Sequence, residues 1–191
     1  MTIVAIVCHS GYGHTKVLAE SVARGAGEVA GVTARLLSTE EVTADLDQLD
    51  SANAIIFGTP TYMGGPSAAF KAIAEASTKK MAAGARRRKQ ADGFTVSSSL
   101  SGDKHMTLSY LVTFAMQQKM LWIGQVESGP TNNGEHGGKP EDVNRIGSYT
   151  GFMAQADNVA PDVSPPQGDH RTAELFGERV AKAARRWASG N

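Results

Sequence analysis

The sequence predicts a single α/β domain in which helices cover both faces of a parallel β-sheet. Two patterns indicate this class. Short apolar segments rich in β-branched residues alternate along the chain with segments whose apolar residues recur every three or four positions. The first pattern is typical of strands buried on both faces, and the second of amphipathic helices. Their alternation favours a parallel sheet, and a length of 191 residues suits one domain.

Five strands are predicted, each ended by glycine, serine or polar residues. Residues 3–8 and 54–57 are apolar throughout, and residues 32–36 alternate apolar with polar side chains. The same reasoning predicts strands at residues 93–98 and 121–126.

Helices are predicted between these strands. The first begins near Thr15 and is closed by Gly31, and the others cover residues 67–77, 104–120 and about 170–187. Asp169 is expected to cap the last helix. Five strands connected in this way match the order 2-1-3-4-5 of a flavodoxin-like three-layer sandwich.

Residues 127–168 contain many glycines and prolines and little periodicity. They are predicted to form a long ordered insertion, a functional or oligomer-forming loop, within one domain that spans residues 1–191.

Charge and composition narrow the class of partner. Lys plus Arg and Asp plus Glu each number 19. The resulting zero net charge gives no support to a nucleic-acid or membrane-surface partner. Cys8 is the single cysteine, so no intramolecular disulfide can form and a reducing compartment is expected. The first apolar run is too short to span a membrane and has no basic flank before it, so we expect a cytoplasmic protein.

The loop after the first strand has the composition of a phosphate site. Its glycines and small hydroxyl residues let N–H and OH groups converge on one anion, next to the positive end of the following helix. It lacks the Lys-Ser/Thr ending of an NTPase loop, and Lys16 stands where a dinucleotide fingerprint has its third glycine. A simple turn and helix cap is the alternative. The loop consists of Ser10, Gly11, Tyr12, Gly13, His14 and Thr15.

Two further loops follow the third and fourth strands, at the same expected edge of the sheet. In the second loop, Tyr62 and Met63 offer apolar or stacking surface for a flat ring. The third loop is dense in hydrogen-bonding groups. The alternative for the second loop is an ordinary turn with an exposed tyrosine, and the third loop alone would be interpreted as a flexible polar loop. Three such loops at successive strand ends predict a binding site. Their candidate residues are Pro60, Thr61, Tyr62, Met63 and Gly64, and then Ser97, Ser98, Ser99, Leu100, Ser101, Gly102 and Asp103.

Residues 10–15 and the segment Gly58-Thr59-Pro60-Thr61-Tyr62 resemble the two FMN loops of flavodoxin-like NAD(P)H:quinone oxidoreductases. These are proteins of the tryptophan-repressor-binding-protein type, related to NADPH-dependent FMN reductases. The resemblance covers almost the whole chain. It implies that residues 10–15 hold the FMN phosphate, that residues 61–63 flank the isoalloxazine ring, and that residues 97–103 contact its pyrimidine edge and the ribityl chain.

Two positions depart from the family pattern. Met81 stands where relatives often carry a Trp beside the substrate pocket, and Gln118 stands where they often carry one of two histidines. The resemblance implies a substrate pocket formed by Tyr12 together with these two residues. It also implies a homodimer or homotetramer.

These expectations combine into an FMN-dependent oxidoreductase that passes electrons from NADH or NADPH to a quinone or a similar small acceptor. Donor and acceptor would use one site in turn, which predicts ping-pong kinetics, and no side chain is nominated as catalytic. Two other classes stay open. One is a flavodoxin-type electron carrier, for which a strongly acidic chain would be expected. The other is a flavin-free scaffold that binds a partner.

Other reactive residue types favour structural roles. Cys8, beside His9, ends a buried strand, where cysteine is usually a small apolar filler. The basic run at residues 86–89 is predicted to be a solvated face, with contact to the 2′-phosphate of NADPH as the alternative. No metal site is predicted, because no metal-ligand spacing connects His105, His136 and His170.

Overall fold

The structure is a computed structural model, and it describes residues 1–130 and 137–190. Its strands are β1 (Thr2–Cys8), β2 (Val32–Ser38), β3 (Ala54–Tyr62), β4 (Gly65–Pro66), β5 (Gln90–Ser97), β6 (Leu121–Trp122) and β7 (Phe152–Gln155). Its helices are α1 (His14–Gly27), α2 (Thr39–Ala44), α3 (Ala68–Ala76), α4 (Thr78–Ala82), α5 (Lys104–Gln117) and α6 (Gln167–Ser189). A 3₁₀ turn (Leu46–Leu49) follows α2.

The central sheet has the order β2-β1-β3-β5-β6, and its main strand pairs are parallel. This confirms the predicted three-layer α/β arrangement and the order 2-1-3-4-5. The apolar run of β1 explains why, since alternate side chains enter two separate cores. Ile6 packs in the core beneath α1 and α6, and Val7 packs in the core beneath α3 and α5. None of the helices in the described part of the chain is both long and apolar enough to cross a membrane.

The fifth position of the sheet is shared by two short strands, so the predicted strand at residues 121–126 is wrong in extent. The start of β5 pairs with β6, and its end pairs with β7. The chain leaves the sheet near Gly124, which has a φ of +77°. The next residue, Gln125, donates its N–H to the carbonyl of Tyr149 rather than to β5. The predicted insertion therefore contains a strand of the sheet.

Other boundaries also differ from the predictions. The predicted helix at residues 67–77 is followed by a second short helix, α4. β3 continues to Tyr62, so Pro60 and Thr61 lie in a strand and not in a loop. Pro60 is tolerated because β1 ends at Cys8, opposite Gly58, and no strand on that side needs an N–H from the proline.

Candidate functional site

A cavity of about 590 Å³ lies at the carboxyl ends of β1, β3 and β5, where open α/β sheets bind ligands. Its volume is in the range of small-molecule sites. It is lined by Tyr12, His14, Thr15, Pro60, Thr61, Tyr62, Val96, Ser97, Ser98, Ala156, Asn158, Val159, Ala160 and Pro161. Each of the three predicted loops contributes to this cavity.

The first loop forms a cradle of backbone groups at the start of α1. Ser10 Oγ accepts the N–H groups of Gly13 and Lys16, each at 3.1 Å. The first N–H groups of a helix have no acceptor within the helix, and the first turn of α1 contains no acidic residue. Ser10 Oγ occupies two of these N–H groups, and the start of α1 keeps a positive end without a competing carboxylate, which suits a phosphate.

The same loop packs against the segment that follows β7. Gly13 has a φ of +93°, and a Cβ at this position would lie 2.8 Å from Pro161 Cγ. His14 Nε2 donates to the carbonyl of Val159 at 2.8 Å. Residues 156–161 thus form a wall of the cavity that carries no recognisable motif. The sequence reasoning missed these residues, because no periodic or compositional signal marks them.

Two tyrosines stand at the mouth of the cavity. The rings of Tyr12 and Tyr62 meet edge to face with centroids 6.3 Å apart. Partial burial raises the pKa of Tyr62, whose hydroxyl also accepts the N–H of Gly11. Met63 and Gly64 form the turn between β3 and β4, with φ values of 49° and 78°. Met63 is fully exposed and does not line the cavity.

Thr61 belongs to a buried network of hydroxyl groups beneath the cavity. Its Oγ1 lies 2.8 Å from Thr95 Oγ1 and 2.8 Å from Thr107 Oγ1. Because the hydroxyl of Thr61 is satisfied inside the protein, it helps to fix the position of β3 relative to β5 and α5.

The third loop is held from behind by Lys104, which the sequence reasoning also missed. Its Nζ donates to Ser97 Oγ at 2.9 Å and to the carbonyls of Ser99 and Leu100 at 2.6 and 2.8 Å. Lys104 has no exposed surface, and burial lowers its pKa to about 8. The sequence contains one indication of this role. A lysine in the first turn of a helix is unfavourable next to the positive end of the helix dipole, which suggests that it binds other groups.

A buried ion pair continues this support. Arg145 binds the carboxylate of Asp169 through Nε and Nη2, each at 2.9 Å. Asp169 also accepts the N–H of Gln155, whose side-chain amide donates to the carbonyl of Ser98 at 2.9 Å. Burial raises the pKa of Asp169 despite the neighbouring guanidinium. The prediction that Asp169 caps α6 is wrong, because α6 begins at Gln167 and the carboxylate serves this network.

The structure does not bring Met81 and Gln118 to the cavity. Gln118 is buried beyond the end of α5 and donates from Nε2 to Ser77 Oγ at 2.8 Å. Ser77 lies between α3 and α4, and Met81 is in α4. This region is at the edge where β5 begins, whereas the cavity is where β5 ends. An eight-residue strand separates its two ends by roughly 25 Å.

The basic run at residues 86–89 lies at that same distant edge. Arg86 is fully buried, and Lys89 Nζ caps the carbonyls of Asp50 and Ala52. Arg87 and Arg88 are exposed, so the predicted solvated face holds for the middle of the run and fails for Arg86. The run does not reach the cavity of its own chain.

The remaining candidate residues do not form a second reactive centre. Burial raises the pKa of the Cys8 thiol to about 12. His9 faces Glu40 at 3.6 Å, and His170 contacts Ser21 Oγ at 2.8 Å. No metal-binding group of His, Cys, Asp and Glu is found in residues 1–130 and 137–190. His136 lies outside these residues.

Comparisons with known proteins agree with the fold and with the resemblance stated above. The family described as Flavodoxin matches residues 6–113. Flavodoxin FldP of Pseudomonas aeruginosa is 34% identical over 95% of this chain and 96% of its own. An NAD(P)H dehydrogenase (quinone) of Geobacter sulfurreducens is 31% identical over 81% of this chain and 89% of its own.

Among solved structures, the flavodoxin, WrbA-like protein from Agrobacterium tumefaciens superposes with a TM-score of 0.72 at 39% identity, covering 97% of this chain and 99% of that one. The predicted flavodoxin-like fold and the family resemblance are thereby confirmed. With the cavity at the ends of β1, β3 and β5, these similarities lead to one conclusion: the chain belongs to the flavodoxin family.

Proposed function

We propose that this chain is an FMN-dependent oxidoreductase that passes electrons from NADH or NADPH to a quinone or a similar small acceptor. The observation that carries the proposal is the cavity lined by Tyr12, His14 and Thr15 at the start of α1 and by Tyr62 at the end of β3. Membership of the flavodoxin family implies a flavin. Relatives named NAD(P)H dehydrogenase (quinone) support the choice of donor and acceptor.

The residues of the cavity fit the parts of FMN. Residues 10–15 would hold the phosphate, because they combine N–H donors, hydroxyl groups and the start of α1. A Cβ at Gly11 would lie 2.6 Å from Tyr62 Oη, so a larger residue here would displace the Tyr62 ring. Pro60, Thr61 and Tyr62 line the cavity and would flank the ring, whereas Met63 does not reach it. Ser97 and Ser98 line the cavity and would contact the polar edge of the ring and the ribityl chain.

When bound, FMN supplies the transfer of two electrons and one proton from NAD(P)H, and from there to the acceptor. The chain binds FMN, orients it and shields it from water. Apolar side chains such as Val96 and Pro161 exclude water from the cavity wall. Because we assign one open cavity to both donor and acceptor, the two must alternate, which produces ping-pong kinetics. We assign no side chain as an acid or a base.

Anaerobic mixing of the FMN-loaded protein with NADH, and separately with NADPH, tests the proposal. We expect one or both to remove the visible absorbance of the flavin rapidly, and a simple benzoquinone to restore it. Initial rates against both substrates should give the parallel double-reciprocal lines of a ping-pong reaction. Protein that takes up no added FMN would contradict the proposal and favour the flavin-free scaffold.

An electron carrier is the second candidate, supported by the 34% identity to a relative named Flavodoxin FldP. The same experiment separates the two. A carrier would take up FMN but would need a separate reductase before either nucleotide could bleach it. The zero net charge argues against a carrier, because charge steering is a common way to dock electron-transfer partners.

A further inference from the structure

Lys104 places an ammonium group directly behind the third loop of the cavity. The residue has no exposed surface, and its Nζ is bound by three oxygens of residues 97–100. One of them is the hydroxyl of Ser97, and Ser97 itself lines the cavity. Only one short side chain therefore separates the buried charge from the space in which a ligand would lie.

The surroundings of Lys104 leave its positive charge uncompensated. The buried charged groups that act on it are Asp169 of α6 and Arg145 of the segment between β6 and β7. Asp103, which precedes Lys104, and Asp157, which accepts from Gln155 Nε2, are exposed, so water and salt screen their charges. Asp169 is held by both Nε and Nη2 of Arg145. The single buried negative charge is thus matched by the arginine, and the three buried groups together carry one net positive charge. A buried charge of this kind is costly, and its three hydrogen bonds offset only part of that cost. A negative charge that forms in the cavity would offset more of it.

We propose that Lys104 is a positioning residue that raises the reduction potential of the bound flavin by keeping an unneutralised positive charge behind the wall formed by Ser97 and Ser98. This holds if the cavity binds FMN as proposed above. Transfer of two electrons and one proton from NAD(P)H, which leaves as NAD(P)⁺, adds one negative charge to the ring. A fixed positive charge in a poorly solvated site stabilises that charge. The protein then binds reduced FMN more tightly, relative to oxidised FMN, than it would without Lys104.

The coupling acts in both directions. A negative charge on the ring makes the proton on Lys104 harder to remove, so reduction raises the pKa of Lys104 from its value of about 8. Above pH about 8, reduction is then accompanied by uptake of an extra proton. The reduction potential should therefore fall more steeply with pH above about 8 than below it.

The test compares the FMN-loaded wild type with Lys104→Met and with the control Lys79→Met. Lys79 is exposed on α4, at the opposite edge of the sheet, so its variant removes the same charge far from the cavity. The measurements are the reduction potential, from titration against a reference dye, and the Kd of oxidised FMN. In Lys104→Met we expect the preference for reduced FMN to fall about tenfold, equivalent to a potential about 30 mV more negative. The steeper pH dependence should also disappear, and Lys79→Met should match the wild type.

The outcomes distinguish a failure of the proposed function from a failure of the role proposed for Lys104. Wild-type protein that takes up no FMN contradicts the proposed function. A Lys104→Met protein that binds both redox forms more weakly by the same factor, at unchanged potential, would show that the lysine only shapes the loop, and the inference would be wrong. If this variant does not fold, the pH dependence of the wild-type reduction potential tests the inference. An unchanged pH slope of its potential above pH about 8 would overturn the inference.

Discussion

At the scale of a single residue, Gly13 allows the first loop to pack closely against residues 156–161. We expect Gly13→Ala to lower the free energy of unfolding by about 1–2 kcal/mol, because it combines a φ of +93° with a Cβ only 2.8 Å from Pro161 Cγ. The same substitution should weaken FMN binding, as measured by fluorescence titration. Gly31→Ala is the matched control, because its φ is +80° and its Cβ would meet no atom within 4 Å. Equal effects of both variants on FMN binding would contradict the assignment of residues 10–15.

Cys8 should be chemically inert in the folded protein. Its thiol is buried and keeps its proton far above neutral pH, with a pKa of about 12 against 9.0 for a free thiol. Since the thiolate is the reactive form, alkylation at pH about 9 should be roughly five hundredfold slower than in the unfolded chain. Mass spectrometry with and without denaturant measures this ratio, and rapid labelling of the native protein would disprove it.

Residue composition predicted the loops but not what supports them. The glycines, serines and threonines of residues 10–15 indicate their role locally, because the turn and the donors come from the same short segment. Lys104 and Arg145 appear in the sequence as ordinary surface cations. Arg145 is held by groups of β7 and α6, which approach from distant parts of the chain, and Lys104 is held by the folded third loop. Alignment with the family also failed to predict the location of Gln118. This residue aligns with a substrate-pocket position but lies at the other edge of the sheet.

Among the elements, β7 links the wall of the cavity to the core. Phe152 is fully buried, with its ring 6.2 Å from that of Phe94 and 6.1 Å from that of Phe176. Phe152→Ala should therefore cost about 3–5 kcal/mol in the free energy of unfolding, measured by denaturant titration. Val163→Ala, an exposed position in the same segment, should change it by less than about 0.5 kcal/mol. A small effect at Phe152 would mean that β7 is not anchored as the structure describes.

The strand at the fifth sheet position shows the limit of reasoning from periodicity. Residues 121–126 and residues 152–155 have similar apolar character, so the sequence alone could not decide which of them pairs with which half of β5. β1, β2 and β3 were easier, because each is bounded by clear turn residues and has no competing segment nearby. The local pattern predicts a strand next to β5. Which segment forms its second half depends on the packing of Phe152 against Phe94 and Phe176.

For the whole molecule, the proposed phosphate site at residues 10–15 predicts that FMN binding adds measurably to the free energy of unfolding. FMN at a hundred times its Kd should add about 2.7 kcal/mol to the free energy of unfolding. For a chain of this size we expect this to raise the Tm by roughly 5–10 °C. Riboflavin, which lacks the phosphate, is the matched control and should give a much smaller shift at equal concentration. Equal shifts for both flavins would show that residues 10–15 do not hold the phosphate.

The assembly of whole molecules stays a prediction. Met63, Leu100 and Met106 are exposed apolar side chains that a subunit contact in a homodimer or homotetramer would shield from water. Sedimentation of the FMN-loaded and FMN-free protein measures the state directly, and a monomer in both forms would contradict the prediction.

The divided fifth strand also bears on how the molecule opens. β6 and β7 are separated by a long connection and contribute only two and four residues to the sheet. Closing such a connection is slow, and short strands at the end of a sheet have the fewest neighbours to protect their amides. We therefore expect hydrogen exchange to be faster in β7 and residues 156–161 than in β1 and β3. Since those residues form a wall of the cavity, the cofactor could enter and leave through local opening while the rest of the sheet stays folded.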